Sequence, residues 1–260
     1  MRVLVTGAAG SIGRTLVQGL PALGHELRGL DLAGDALDGC SLGWITGDCL
    51  DPAVAAEAVA GVDAVVHLAG HPDEDSLPAS LESHVHSTAR LLDAMVAHGV
   101  GRMVYASSNH AVGRTPRSEL LTTDVPPRPD TFYGVAKVAA EALLSLYADA
   151  HPLSAAALRI GTFEPRPSSV RALSTWLSPD DAVRLVDAAL RSTGPGLEVV
   201  YGVSANTRGW WDLLPGLAIG YEPQDNAEPF ADEVASRPED DAEAAHVGGS
   251  FVTAPTRPAF

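Results

Sequence analysis

Lysine is almost missing from this chain. Of its 17 basic residues, 16 are arginines and only Lys137 is a lysine. Against 33 acidic residues they leave a formal net charge of −16, and a surface of that sign repels nucleic acid and anionic lipid alike. Cysteine is nearly as scarce. Cys40 and Cys49 are the only two, too few for a disulfide framework and without zinc spacing, so a reduced compartment is expected. No apolar run is long enough to span a bilayer. The first strand starts at Arg2 and leaves no room for a secretory signal. These absences imply a soluble, cytoplasmic protein.

What is present is globular: 46% hydrophobic residues, 25 glycines and 19 prolines. A chain of 260 residues holds one large α/β domain or two small ones, with roughly three quarters of the unfolded surface buried. Strand and helix signals alternate through the first part. RVLVT (2–6), ELRGLD (26–31), GWITGD (43–48), DAVVHLAG (63–70), RMVYASS (102–108) and LSAAALRIG (153–161) read as strands. Helices are expected from Ser11 to about Leu23, from Asp51-Pro52, from about Leu77 to His98, and over 130–150. That alternation implies a parallel sheet covered on both faces. Beyond Gly161 the rhythm breaks. Residues 162–176, with two prolines, read as a long functional loop. A helix follows, capped by Ser178, opened by Pro179 and carrying Asp180 and Asp181 at its positive end, so that aspartate pair reads as structural. LEVVYGV is a late strand, and the acidic PEDDAEAA (238–245) reads as a solvated connector.

The turn after the first strand is TGAAGSIG, with Gly7, Gly10 and Gly13 opening a helix. Such glycines let the backbone approach a pyrophosphate, whose charge rests on the helix N-terminus. Asp31 lies 18 residues beyond Gly13 at the end of the second strand, where an acid binds the ribose hydroxyls of NAD and repels the extra phosphate of NADP. An ordinary strand-terminal aspartate is the alternative. Asp48 ends the third strand, either beside an adenine or as a turn cap. HLAG (67–70) ends the fourth strand at the same edge.

The lone lysine stands four residues after Tyr133, in YGVAK, so both side chains share one helix face. An ammonium is a compact charge with three adjustable donors, suited to ribose hydroxyls and to standing beside a phenol. Bringing a tyrosine from a pKa near 10 to about 7 requires about 4 kcal/mol of differential stabilisation. A buried ammonium and a positively charged nicotinamide can supply that together, and Tyr133 then serves as a general base. Packing in a helix interface is the plain alternative. Ser108, at the carboxyl end of the fifth strand, would hold the same substrate oxygen. His67, His71, His84 and His86 show no metal spacing, and no metal is expected.

TGAAGSIG, DAVVHLAG, YASSNHAVG, YGVAK and the late GYEPQDNAE together resemble the extended short-chain dehydrogenase/reductase family over nearly the whole chain. Within that family ASSNHAVG, RPDTFYGVAK, RIGTFEPRPSSVRALSTWLSPDD and SANTRGWWD are similar to uronate dehydrogenases. The resemblance implies an α/β fold, a Rossmann-type doubly wound parallel sheet with a small C-terminal substrate-binding part. It implies one domain, with residues 1–160 holding NAD and 161–260 shaping the substrate site. It further implies NAD-dependent oxidation of cyclic D-glucuronate or D-galacturonate at C1 to the aldarolactone, by a homo-oligomer. On this resemblance Tyr133 accepts the proton, with Lys137 as its electrostatic partner and Ser108 as the anchor of the reacting hydroxyl. The cofactor would lie against Gly7, Gly10, Ser11, Ile12, Gly13, Asp31, Asp48, Cys49, Leu68, Ala69, Gly70, Tyr133 and Lys137. The substrate would meet Ser108, Asn109, His110, Tyr133 and Thr162, and Arg171 would clamp its carboxylate. The chain departs from the pattern at His71-Pro72, where relatives carry a small polar residue, and at His84, where they carry asparagine. A nucleotide-sugar epimerase or dehydratase, or a dinucleotide-sensing protein without turnover, are the alternatives.

Overall fold

After its first residue, β1 (Arg2–Thr6) is buried at every position, as expected for a central parallel strand with both faces covered. The computed structural model describes residues 1–32, 34, 36–117, 120–254 and 258–259. From β1 the chain runs through α1 (Ser11–Gly19), β2 (Glu26–Asp31), β3 (Trp44–Thr46), α2 (Pro52–Val59) and β4 (Ala64–His67). It continues as α3 (Leu77–Leu81), α4 (Ser87–His98), β5 (Arg102–Ser108), α5 (Phe132–Ala150) and β6 (Ser154–Ile160). Then come β7 (Thr162–Phe163), α6 (Ala172–Thr175), β8 (Trp176–Leu177), α7 (Pro179–Arg191) and β9 (Leu197–Gly202). The short helices α8 (Leu214–Ala218), α9 (Asp240–Ala244) and α10 (Ser250–Thr253) complete the chain.

Seven strands form one parallel sheet in the order β3-β2-β1-β4-β5-β6-β9. The direction of winding reverses between β1 and β4, which opens a crevice at their carboxyl ends. Leu16 and Val17 of α1, with Leu185 and Val186 of α7, cover one face. Ala58 of α2, Leu91, Leu92 and Met95 of α4, and Leu144 of α5 cover the other. The expected doubly wound parallel sheet is the one observed.

Three local readings change. The helix over 77–98 contains a π turn at Glu82–His86, which carries His84 inward. Residues 162–176 are not a free loop: β7 and β8 pair in parallel, and α6 between them is wholly buried. Strands of two residues are too short to show any period, and the prolines masked the rest. The acidic 238–245 segment is mostly exposed, as expected, but it holds the short helix α9 and buries Glu243. Asp240 and Glu243 turn to Arg237 at 3.0 and 2.7 Å. The chain beyond them docks along 113–117, where Val247 N donates to Thr115 O at 3.0 Å and Gly248 N to Gly113 O at 2.8 Å.

The Asp180-Asp181 pair divides its roles. Ser178 Oγ caps α7 by accepting from Asp181 N at 2.9 Å. The Asp181 carboxylate, fully buried, accepts from Arg184 Nε, Gln224 N and Asp225 N at 2.7, 2.9 and 3.0 Å. Removing it leaves two part-buried amides without their acceptor and Arg184 with Asp225 alone. Asp181→Ala is expected to lower the unfolding free energy by about 3 kcal/mol, read as a fall in the urea midpoint; an unchanged midpoint contradicts this anchoring role.

Candidate functional site

A cleft of about 1480 Å³ runs along the carboxyl edge of the sheet from the end of β2 to the end of β6. Its floor at one end is the β1–α1 turn. Gly7 adopts φ +68°, and a Cβ on it would lie 2.8 Å from Ala69 N. A Cβ on Gly13 would stand 2.2 Å from Gly7 O, so only glycine permits this turn. Gly10, Ser11 and Ile12 line the cleft beside them at the start of α1. A phosphate-bearing group fits this cradle, because first-turn amides and the positive end of α1 face it. Asp31 accepts from Ala9 N at 2.8 Å, tying the end of β2 to the turn while lining the cleft. Asp48 accepts from Leu50 N at 2.9 Å, as a turn cap does, and also lines the cleft with Cys49. Burial pushes the Cys49 thiol up to about 12, which leaves it inert as a nucleophile. Leu68, Ala69 and Gly70 form the wall beyond β4.

The reactive cluster lies where β5 meets α5. Thr131 Oγ1 caps α5 by accepting from Gly134 N at 2.9 Å, which sets Tyr133 in the first turn. Lys137 follows one turn later and is buried. Its Nζ donates to Ala106 O at 2.7 Å and lies 5.2 Å from the Tyr133 ring centre. Burial pulls the ammonium down to about 7, with Glu141 opposing. Burial likewise raises the Tyr133 phenol to about 12, with a hydrogen bond from Ser108 opposing. The lysine alone therefore does not activate the tyrosine. Desolvation acts on both groups and disfavours the charged form of each.

The opposite end of the cleft is built around a cation. Arg171 donates through Nη1 to Thr162 Oγ1 at 3.3 Å and through Nη2 to Val247 O at 2.7 Å. Its Nε is buried with no partner, and among the described residues no carboxylate pairs with it. Thr162 Oγ1 also bonds Thr175 Oγ1 at 2.7 Å, so it orients the guanidinium as well as lining the cleft. His110 lines the cleft with its Nδ1 3.0 Å from both oxygens of the buried Asp130, which fixes the ring.

Every cleft residue anticipated from the sequence lies on this wall except Asn109. Asn109 opens a tight turn at the end of β5 and folds back, its Oδ1 accepting from Ser108 Oγ at 3.3 Å. It stands behind Ser108, with Nδ2 buried and without a partner among the described residues. Three contributors went unread. Asp130 directly precedes the capping Thr131, and that cap was legible. Glu74 reaches the cleft from the loop after β4 and Phe251 from α10, far along the chain, and no local pattern marks them.

Against known proteins, residues 3–177 match the model of the NAD dependent epimerase/dehydratase family. A uronate dehydrogenase of Agrobacterium fabrum is 40% identical, covering 98% of this chain and 97% of its own. One from Pseudomonas putida is 36% identical over 97% of this chain and 96% of its own. Among solved structures, a uronate dehydrogenase of Agrobacterium tumefaciens, a tyrosine-to-alanine mutant complexed with NAD, superposes with a TM-score of 0.90. It is 38% identical and covers 100% of this chain and 98% of its own.

Two buried histidines give the cleft a pH signature. His67 bonds Thr6 Oγ1 at 2.8 Å, and His84 Nε2 donates to His71 O at 2.9 Å. Burial, then the Lys137 charge, pulls each from 6.5 down to about 3. A base whose folded pKa lies below its unfolded one contributes stability that is full above about pH 6.5 and lost as pH falls. Each histidine should add about 1 kcal/mol per pH unit to that loss. Urea midpoints taken from about pH 7 down to about pH 5 are expected to fall, and His84→Asn to flatten the trend by about half; a flat wild-type profile contradicts the assignment.

Proposed function

The chain belongs to the NAD dependent epimerase/dehydratase family, and on that premise we propose that it is an oxidoreductase taking free D-glucuronate or D-galacturonate to the aldarolactone with NAD. The observation that carries the substrate class is Arg171: a half-buried guanidinium on the cleft wall that, among the described residues, has no carboxylate bound to it. In a protein of net charge −16, such a cation is a selective seat for one small carboxylate. The likeness to uronate dehydrogenases over nearly the full chain supports the same reading.

The residues divide the work as follows. Gly7, Gly10, Ser11, Ile12 and Gly13 would hold the pyrophosphate, Asp31 the adenosine ribose, and Asp48, Cys49, Leu68, Ala69 and Gly70 the adenine side. Arg171 binds the C6 carboxylate, with three of its five N–H groups still free of the Thr162 and Val247 contacts. His110, braced by Asp130, meets ring hydroxyls, and Asn109 supports Ser108 from behind. Ser108 holds the C1 hydroxyl against Tyr133, which takes its proton. When bound, NAD supplies the nicotinamide C4 that accepts the hydride and a positive charge that favours the phenolate. Lys137 adds its ammonium and donors for ribose hydroxyls. The reading includes a single domain, with 1–160 for NAD and 161–260 for substrate, acting in the cytoplasm as a homo-oligomer.

Purified protein with NAD is expected to form NADH with either free uronate and not with glucose, galactose or UDP-glucuronate. Arg171→Ala should lower kcat/KM about 100-fold by removing charge-assisted hydrogen bonds of about 2–3 kcal/mol, whereas Tyr133→Phe should bind NADH and show no turnover. Inactivity on both uronates, or full activity in Arg171→Ala, overturns the assignment.

A further inference from the structure

The loop between β4 and α3 carries three consecutive acids, Asp73, Glu74 and Asp75, all on the cleft wall. Asp75 stays local, its Oδ1 accepting from Ser76 N at 2.6 Å. Glu74 instead crosses to α5. Its Oε1 accepts from Phe132 N at 2.9 Å and its Oε2 from Tyr133 N at 3.0 Å, over separations of 58 and 59 residues. The next two amides of the helix are already served by Thr131, whose Oγ1 takes Gly134 N at 2.9 Å and whose carbonyl takes Val135 N at 3.0 Å.

The loop is fastened at its other side as well. His71 N donates to Ser83 Oγ at 2.7 Å, and His84 Nε2 donates to His71 O at 2.9 Å. The same His84 meets the Tyr133 ring edge-on, with centroids 5.0 Å apart. Tyr133 is thus held twice by one wall, at its backbone through Glu74 and at its ring through His84. A local cap from Thr131 suffices to start a helix. A carboxylate from a distant loop on the amide of the phenol-bearing residue adds something else: it fixes that residue relative to the cleft wall, and its charge suits the positive end of α5.

We propose that Glu74 is a positioning residue, a latch that ties the cleft-lining loop 70–76 to the first turn of α5 and sets where the Tyr133 phenol stands. The inference rests on the reading of Tyr133 as general base. It explains why a loop of charged and polar residues can serve as a rigid wall: the bidentate bridge to two adjacent amides leaves it little freedom. Displacement of a reacting group by about 1 Å costs about 100-fold in rate, so the latch acts on turnover and not on affinity for the cofactor.

The test compares wild type, Glu74→Ala and Glu74→Gln in hydrogen exchange, NADH binding, melting temperature and steady-state kinetics with NAD and D-glucuronate. In Glu74→Ala the amides of Phe132 and Tyr133 are expected to exchange about tenfold faster or more. Its kcat should fall about 10- to 100-fold while NADH affinity, the KM for NAD and the melting temperature hold. Glu74→Gln keeps one acceptor oxygen and should recover part of kcat. Unchanged exchange in Glu74→Ala overturns the latch; unchanged kcat, or a loss matched by weaker NADH binding and a lower melting temperature, overturns the positioning role. A wild type silent on uronates overturns the substrate reading and with it the catalytic half of the proposal, while the exchange rates still decide the latch.

Discussion

Lys137 Nζ donates to the Ala106 carbonyl at 2.7 Å in the interior, and this bond fixes α5 against the end of β5. Tyr133, one turn earlier, is thereby set over the carboxyl edge of the sheet, facing Ser108. Behind them Glu141, one turn after Lys137, accepts from Arg159 Nε and Nη2 at 3.1 and 2.9 Å and from Ser107 Oγ at 2.5 Å. The chain of contacts Ser107–Glu141–Arg159 joins β5, α5 and β6 beneath the reactive cluster. An interior ion pair of this kind adds little net stability against apolar packing, but it admits few alternative arrangements. The geometry of the cleft follows from it, because β5 and α5, which carry Ser108, Tyr133 and Lys137, share one polar anchor with β6.

Burial of that anchor has an electrostatic consequence. Desolvation disfavours the charged form of both the phenol and the ammonium, so Tyr133 rises to about 12 while Lys137 falls to about 7. The sequence argument, in which the ammonium and a positively charged nicotinamide together lower the tyrosine, treated the ammonium as a charge without its own desolvation. In the folded protein the ammonium is itself weakened, and His67 and His84 stay neutral beside it for the same reason. On the proposed reading, activation of the tyrosine belongs to the assembled site, in which hydroxyls and a bound positive ring add to what the side chains supply.

The doubly wound sheet and most of the cleft were legible in the sequence, because they depend on patterns with a short physical range. Gly7, Gly10 and Gly13 are demanded by a turn of a few residues, and Tyr133 and Lys137 by one helical turn. Strands buried on both faces, such as β1 and β5, read as continuous apolar runs. What escaped depends on long-range docking. The two-residue strands β7 and β8 have no period to detect, and the docking of the chain beyond 245 along 113–117 joins residues more than 130 apart. Glu74 meets α5 across 58 residues. Asn109 was placed by motif on the substrate side; it opens a tight turn next to the cleft lining, with its Oδ1 accepting from Ser108 Oγ.

Arg171 shows what the fold concedes to function. A guanidinium taken from water without a bound carboxylate costs several kcal/mol, and burial accordingly pulls its pKa down. Asp130 and Glu243 are near enough to oppose that shift, but neither bridges it: Asp130 is held by His110 and Glu243 by Arg237. The nearest acids therefore lend Arg171 a favourable field without occupying its fork. Were either carboxylate to pair with it directly, the protein would gain an ion pair and the cleft wall would lose an uncompensated guanidinium. The C-terminal strap completes the arrangement, since Val247 O orients the guanidinium with a neutral acceptor and leaves its charge available to a ligand.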